Sequence, residues 1–264
     1  MDNKHFLTLI IAMSGQLAYP ASDQQGQSMC SKDNQTVLPC EKEASKNKCV
    51  KMSNVKVKDL IKLANDGNLD AQNELGIRYH RGYGVKQNYE EAFKWYLKAA
   101  EGGNAAAQTN VANMYCEGIG TKVDYAKTLE WLNKAVDQNC PEAAYNLARV
   151  YVMGEIVEQD FEKAFKLYIK AAEAGDVWAC QELGLMYEFG EYVDVDMKKA
   201  FEWYLKGAEG SHPPAQYAVA RFYACGVGGV VEANLKKGVE WCKKAAEQGY
   251  EPAIQQLKSM KYFE

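Results

Sequence analysis

From Asn68 to Gly249 the apolar and small residues fall on helical periods, and the whole pattern returns every 36 residues. In the first unit Ala71, Leu75, Gly76 and Tyr79 recur at i, i+4, i+5 and i+8, one stripe of a helix. Gly82 and Gly84 stop that stripe, because glycine accepts the left-handed backbone that ends a helix. Polar turn residues follow, and Ala92, Trp95, Tyr96, Ala99 and Ala100 write the stripe of a second helix. Three columns keep the step without a break: Ala71, Ala107, Ala143, Ala179 and Ala215; Tyr79, Tyr115, Tyr151, Tyr187 and Tyr223; Gly82, Gly118, Gly154, Gly190 and Gly226. The units run 68–103, 104–139, 140–175, 176–211 and 212–249, the last being two residues longer. Each unit predicts two antiparallel helices that bury their stripes against neighbouring pairs. Small residues at Gly76, Ala112, Ala148, Gly184 and Ala220 let the helices approach to about 8–10 Å.

The pattern A-x-x-x-L-G-x-x-Y-x-x-G-x-G-V, followed by A-F-K-W-Y-L-K-A-A-E-G-G, resembles the Sel-1-like repeat family, a relative of the tetratricopeptide repeat. The resemblance implies an all-α fold, an α-solenoid of stacked antiparallel helix pairs in a right-handed, tetratricopeptide-like superhelix. It also implies non-enzymatic scaffold work in which other proteins or peptides are the partners. Residues 55–67 resemble a lone second helix and residues 250–264 a final first helix, so both are expected as caps. In the latter, Lys258 and Lys261 replace the packing residue and the tyrosine, as suits an outer helix with nothing stacked beyond it.

Residues 1–21 carry the apolar run Phe6 to Met13 behind Lys4, with small residues at Ala18 and Ala21. That run is too short to span a bilayer, which takes about 20 apolar residues. It is expected to be a cleavable signal for a secreted or periplasmic chain with no integral membrane span. The alternative is a frayed amphipathic start of a cytoplasmic protein. Residues 22–54 are polar and mixed in charge, the composition of a disordered linker, yet they hold Cys30, Cys40 and Cys49. In an oxidising compartment two of these could close a loop, with the third left over or paired elsewhere; the alternative is three unpaired thiols. Asn34-Gln35-Thr36 is a glycosylation sequon, meaningful only in a secreting eukaryote.

The family resemblance implies, for some bacterial cysteine-rich members, bridges between cysteines eight residues apart, and this chain departs from that pattern. Cys180 holds the right column, but Ala172 stands eight residues earlier. Cys116, Cys140, Cys225 and Cys242 fall in scattered columns. Cys116 and Cys140 sit near opposite ends of their helices, beyond the roughly 7 Å limit for a bridge. All five are expected to act as small buried apolar residues.

Composition narrows the chemistry. The 264 residues carry 31 basic and 35 acidic side chains, a net charge of -4, with a pI near 5.6, which argues against a nucleic-acid partner. Three separated histidines, His5, His80 and His212, leave little from which to build a metal site or a histidine-based catalytic centre, and neither a metal nor a cofactor is expected. The tetrads Ser45 to Lys48 and Ser53 to Lys56 match S-x-x-K, but neither S-D-N nor K-T-G accompanies them. No phosphate loop occurs, and the G-x-G turns follow helices rather than strands. Trp95, Trp131, Trp203 and Trp241 share one column and are read as packing rather than as a cofactor-stacking box. The chain is therefore expected not to be an enzyme. The alternative functions are binding or hydrolysis of β-lactams or cell-wall fragments, and a structural spacer.

On a curved stack about 50 Å long, first helices line the concave side. The positions left for that surface are Asn73, Ile77 and His80; Thr109, Asn113 and Cys116; Tyr145, Arg149 and Val152; Gln181, Leu185 and Glu188; and Tyr217, Arg221 and Ala224. The chosen binding residues are Asn73, Asn110, Asn113, Tyr145, Asn146, Arg149, Gln181, Tyr217 and Arg221. Tyrosine four residues before arginine puts both on one helix face, and both are frequent hot-spot residues. Amides at Asn110, Asn113 and Asn146 suit the backbone of an extended peptide. The competing reading is that Arg149 and Arg221 pair with nearby acids while the tyrosines cover the core.

Overall fold

A computed structural model describes residues 52–227 and 229–261. Among them are twelve α-helices, a 3-10 turn at Met52–Asn54 and one isolated bridge between Val227 and Val231. The expected signal segment and residues 22–51 of the expected linker lie outside the described residues. The helices fall into two compact units, the first ending at Ala174 and the second beginning at Gly175. The first holds α1 (Val57–Asn65), α2 (Leu69–Arg81), α3 (Tyr89–Glu101), α4 (Ala105–Glu117), α5 (Tyr125–Asp137), α6 (Pro141–Met153) and α7 (Phe161–Glu173). The second holds α8 (Val177–Phe189), α9 (Met197–Glu209), α10 (Pro213–Cys225), α11 (Leu235–Glu247) and α12 (Glu251–Lys261). Within each unit every helix packs on the next in sequence, and first helices of adjacent repeats, α4 with α6 and α8 with α10, also touch.

Local chemistry sets the ends of these helices. Asn88, Asp124, Asp160, Asp196 and Asn234 begin the second helices, each side chain accepting the N–H three residues on at 2.9–3.1 Å. Asn68, Asn104 and Asp176 do the same for α2, α4 and α8. α6 and α10 start instead at Cys140 and His212, which give no such bond. Both have proline at the first helical position, where the fixed φ and missing N–H suit a helix start. The first helices α2, α4, α6 and α8 end on Gly82, Gly118, Gly154 and Gly190, with φ between 68° and 75°.

The two helices of a repeat are clasped at their shared end. Lys163 Nζ lies 2.9 Å from the capping carboxylate of Asp160 and 5.2 Å from the centre of the Tyr151 ring. Lys127 with Asp124 and Tyr115, and Lys199 with Asp196 and Tyr187, repeat the arrangement. Exposed ion pairs of this kind contribute little each, about 1 kcal/mol or less, but they fix where the second helix starts.

Deeper in the stack the recurring alanines Ala71, Ala107, Ala143, Ala179 and Ala215 are fully buried, as are Leu75, Val111, Leu183 and Val219. Buried glutamines then join one repeat to the next. Gln72, Gln108 and Gln216 donate to the carbonyls of Ala64, Ala100 and Ala208 at 2.9, 3.2 and 3.3 Å, satisfying the frayed last turn of the preceding helix. Tyr96 and Tyr204 lie flat against Gly76 and Gly184, where a Cβ would fall inside the ring. Of the tryptophans, Trp131 is buried, while Trp95, Trp203 and Trp241 are half-buried. The lysine three residues on covers each indole, Lys98, Lys134, Lys206 and Lys244 standing 5.2, 4.2, 3.9 and 3.8 Å from the ring centres. No helix among the described residues is long and apolar enough to cross a membrane.

Gly184→Val drives two methyl groups into the fully buried Tyr204 ring and adds a β-branched residue to a helix. It is expected to cost about 2–3 kcal/mol, read as a lowered denaturation midpoint with unchanged helix content in those molecules that remain folded.

Candidate protein-binding face

In the first unit the sequence-chosen amides come together across α2, α4 and α6. Asn110 Nδ2 donates to Asn73 Oδ1 at 3.0 Å, and Asn146 Nδ2 donates to Asn113 Oδ1 at 3.2 Å. These are two rungs between neighbouring first helices. Asn73, Asn110 and Asn113 are half-buried, and Asn146 is buried with its Oδ1 lacking a protein partner. Arg149, half-buried on the same helix, holds its guanidinium 5.9 Å from the centre of the Tyr145 ring.

Tyr145 itself is turned inward at 4% exposure, its ring 5.8 Å from that of Tyr168 on α7. In the second unit Tyr217 is also internal at 5%, packed against Tyr250, and burial raises the pKa of its hydroxyl. Arg221 forms a close ion pair with Glu188 Oε1, while the Tyr204 hydroxyl donates to Glu188 Oε2 at 2.7 Å. Side-chain exposure of 14% and 11% makes this an interior pair. Tyr145, Tyr217 and Arg221, expected on the open face, therefore contribute to packing instead. The physical reason is that burying an aromatic side chain is worth about 2–3 kcal/mol, and a buried guanidinium is retained only with a carboxylate beside it. Gln181 is half-buried, with an Oε1 that lacks a protein partner.

Other groups that could carry chemistry are occupied structurally. His80 stacks edge-on to Tyr89, and burial with the neighbouring Arg81 charge lowers its pKa below the usual imidazole range. His212 is buried against Trp178, ring centres 4.4 Å apart. Among the described residues no group of three His, Cys, Asp or Glu side chains comes together to hold a metal. Ser45 lies outside the described residues, and Ser53 is exposed in the 3-10 turn, its carbonyl accepting from Arg78 at 3.0 Å.

The cysteines divide. Cys180, Cys225 and Cys242 are free thiols, two buried and Cys225 half-buried, which matches their expected packing role, and Cys140 is buried with its Sγ 3.7 Å from the Thr109 hydroxyl. Burial pushes the Cys180 and Cys242 thiols up to about 11 and also raises Cys225. With a pKa near 11 only about one thiol in ten thousand is the reactive thiolate at pH 7. Cys116 differs from its expectation as a thiol: it is disulfide-bonded.

Sequence reasoning placed the amides but missed the glutamines at 72, 108 and 216, whose signal was there at a spacing of 36 and, from the second to the third, 108 residues. It also placed Glu188 on the open face without recognising it as the counter-charge of Arg221.

Capped helix pairs and an interior row of small residues define a helical-repeat protein. The Sel1 repeat pattern matches residues 69–104, 105–140, 141–176, 179–212 and 213–250, and the chain belongs to the Sel1 repeat family. It is similar to the Sel1 repeat protein of Oxalobacter formigenes, with 32% identity over 77% of this chain and 89% of that one and a TM-score of 0.69. A protective antigen of uropathogenic Escherichia coli with the same repeat fold is 31% identical over 74% of this chain and 49% of its own, at a TM-score of 0.47. An immunity protein of Pseudomonas aeruginosa shares the fold at 23% identity, covering 70% of this chain and 66% of that one, with a TM-score of 0.51. No curated protein matches the chain. Sel1 repeat proteins in general mediate protein–protein interaction and serve as non-catalytic scaffolds.

Glu188→Ala leaves Arg221 buried without its counter-charge and is expected to cost about 3 kcal/mol, whereas the double variant Glu188→Leu with Arg221→Met should recover most of it. Chemical denaturation of both variants checks this; equal losses would mean that the pair is not the stabilising unit.

Proposed function

We propose that the chain is a non-enzymatic adaptor whose first unit holds an extended segment of another protein along Asn73, Asn110, Asn113, Asn146 and Arg149. The observation that carries this reading is the pair of amide rungs with the buried Asn146 Oδ1 left without a protein partner. Asn113 gives its oxygen to Asn146 and keeps its Nδ2 as a donor for the backbone of an extended peptide. Arg149 adds a positive charge for a carboxylate on the bound segment. Peptides selected from a random linear library by immobilised full-length protein should lose at least about tenfold in affinity to the Asn110→Ala, Asn113→Ala variant. That loss corresponds to roughly 1 kcal/mol for each hydrogen bond removed, and Lys134→Ala on a second helix should change nothing. Equal binding by both variants would sink the assignment.

We also infer that the chain works outside the cytoplasm, secreted or in a periplasm. The apolar run from Phe6 to Met13, the disulfide at Cys116 and the low reactivity of the buried thiols support this. Protein isolated from its native host should begin beyond about residue 21 on N-terminal sequencing; a mature chain starting at Met1 would overturn it.

A further inference from the structure

The turn between α8 and α9 exposes Phe189, Tyr192 and Val195 at 42%, 50% and 58%. Its ends are anchored. The N–H groups of Gly190 and Glu191 donate to the Met186 carbonyl at 3.0 and 3.1 Å, and that of Asp196 donates to the Tyr187 carbonyl at 2.9 Å. Tyr192 has a left-handed backbone, φ 68°, at the position where the first two repeats place Gly84 and Gly120 with φ 71° and 67°. Glycine takes that conformation without strain and tyrosine does not, so an exposed ring is kept where the backbone favours its absence. Glu191 and Asp194 flank it, both exposed and neither in an ion pair among the described residues. Lys199 is taken by Asp196 and the Tyr187 ring, and Lys198 is the nearest other cation in sequence. The turn between α2 and α3 carries the opposite charge. There Tyr83 is 61% exposed, with the Arg81 guanidinium 5.9 Å from its ring centre. Lys86 is exposed, and neither Arg81 nor Lys86 is in an ion pair among the described residues.

We propose that the chain associates with a second copy of itself, the Tyr83 turn of one molecule docking on the Tyr192 turn of another. Arg81 and Lys86 pair with Glu191 and Asp194, and the two tyrosine rings meet beside Phe189 and Val195. Each turn offers one exposed tyrosine and two charges of one sign, and the signs are opposite. The neighbouring turns lack one half of this pattern. That of the second repeat is balanced by Glu117 and Lys122, and that of the third is acidic at Glu155 and Glu158 but exposes Met153 instead of an aromatic ring. Two different patches make the contact, so association runs head to tail. A pair of turns covers less than the roughly 1,200 Å² of a stable interface, which makes the contact transient, with a dissociation constant of about 0.1–1 mM. None of these residues belongs to the amide face, and the proposal is independent of the adaptor reading.

The test is sedimentation of the full chain over a range of concentrations at low salt. The average mass is expected to rise with concentration, and the association to weaken at least about tenfold in about 0.5 M NaCl, where the screening length falls to about 4 Å. Glu191→Lys with Asp194→Lys, and separately Arg81→Glu with Lys86→Glu, should each weaken self-association at least about tenfold. Mixing these two double variants should restore it, because each reversed turn then meets its complement. Glu155→Lys with Glu158→Lys should associate like the wild type. Tyr192→Gly removes the ring and relieves the backbone, so association should weaken at least about fivefold, the order of a lost aromatic contact, while the thermal midpoint does not fall. A wild-type chain that stays monomeric up to about 1 mM, or a mixture of the two double variants that stays monomeric, would overturn the proposal. So would a lower midpoint with unchanged association in Tyr192→Gly, which means that the ring serves only its own turn.

Discussion

The structure depends on how closely the two helices of a repeat can approach. At Gly76 and Gly184 a tyrosine ring from the second helix occupies the volume of a side chain the first helix does not have. Close packing of this kind leaves no room for adjustment by a methylene, because interiors are as dense as organic crystals. The fully buried alanine column and the glutamine bonds to the preceding helix are arranged around that contact. Burial supplies the free energy, while caps and glutamines satisfy the backbone groups that helix ends would otherwise leave unpaired.

The two units use the same frame for different purposes on their first helices. In the first, the amides of Asn73, Asn110, Asn113 and Asn146 are bonded to one another in rungs, the first three half-buried and Asn146 buried. In the second, the corresponding stretch is occupied by the Tyr204, Glu188 and Arg221 cluster and by the buried Tyr217 ring. A charge that is neutralised and enclosed contributes to holding α8, α9 and α10 together, not to meeting a partner.

The fold was legible because its signal is repeated. Alanine, tyrosine and glycine columns at a constant step define each pair of helices, and the helix ends follow from the glycines and capping residues. Which side chains would remain outside was less legible. Tyr145 and Tyr217 sit two residues before the recurring Leu or Val, a position on the edge of the apolar stripe where small changes in helix rotation decide between core and surface. Arg221 needed a partner 33 residues away, and no local pattern announces that distance. The disulfide at Cys116 was hidden for the same reason, since connectivity is a property of the folded chain and not of spacing.

The lysines that sit over Trp95, Trp131, Trp203 and Trp241 carry a consequence for solubility. Three of these indoles are half-buried, so their flat faces would be wet and sticky without an ammonium group lying across them. Acetylating those amines would erase the cations and bare a row of indole faces along the second helices. In the four repeats that carry an indole, this surface stays unadhesive only while a neighbouring positive charge shields the ring.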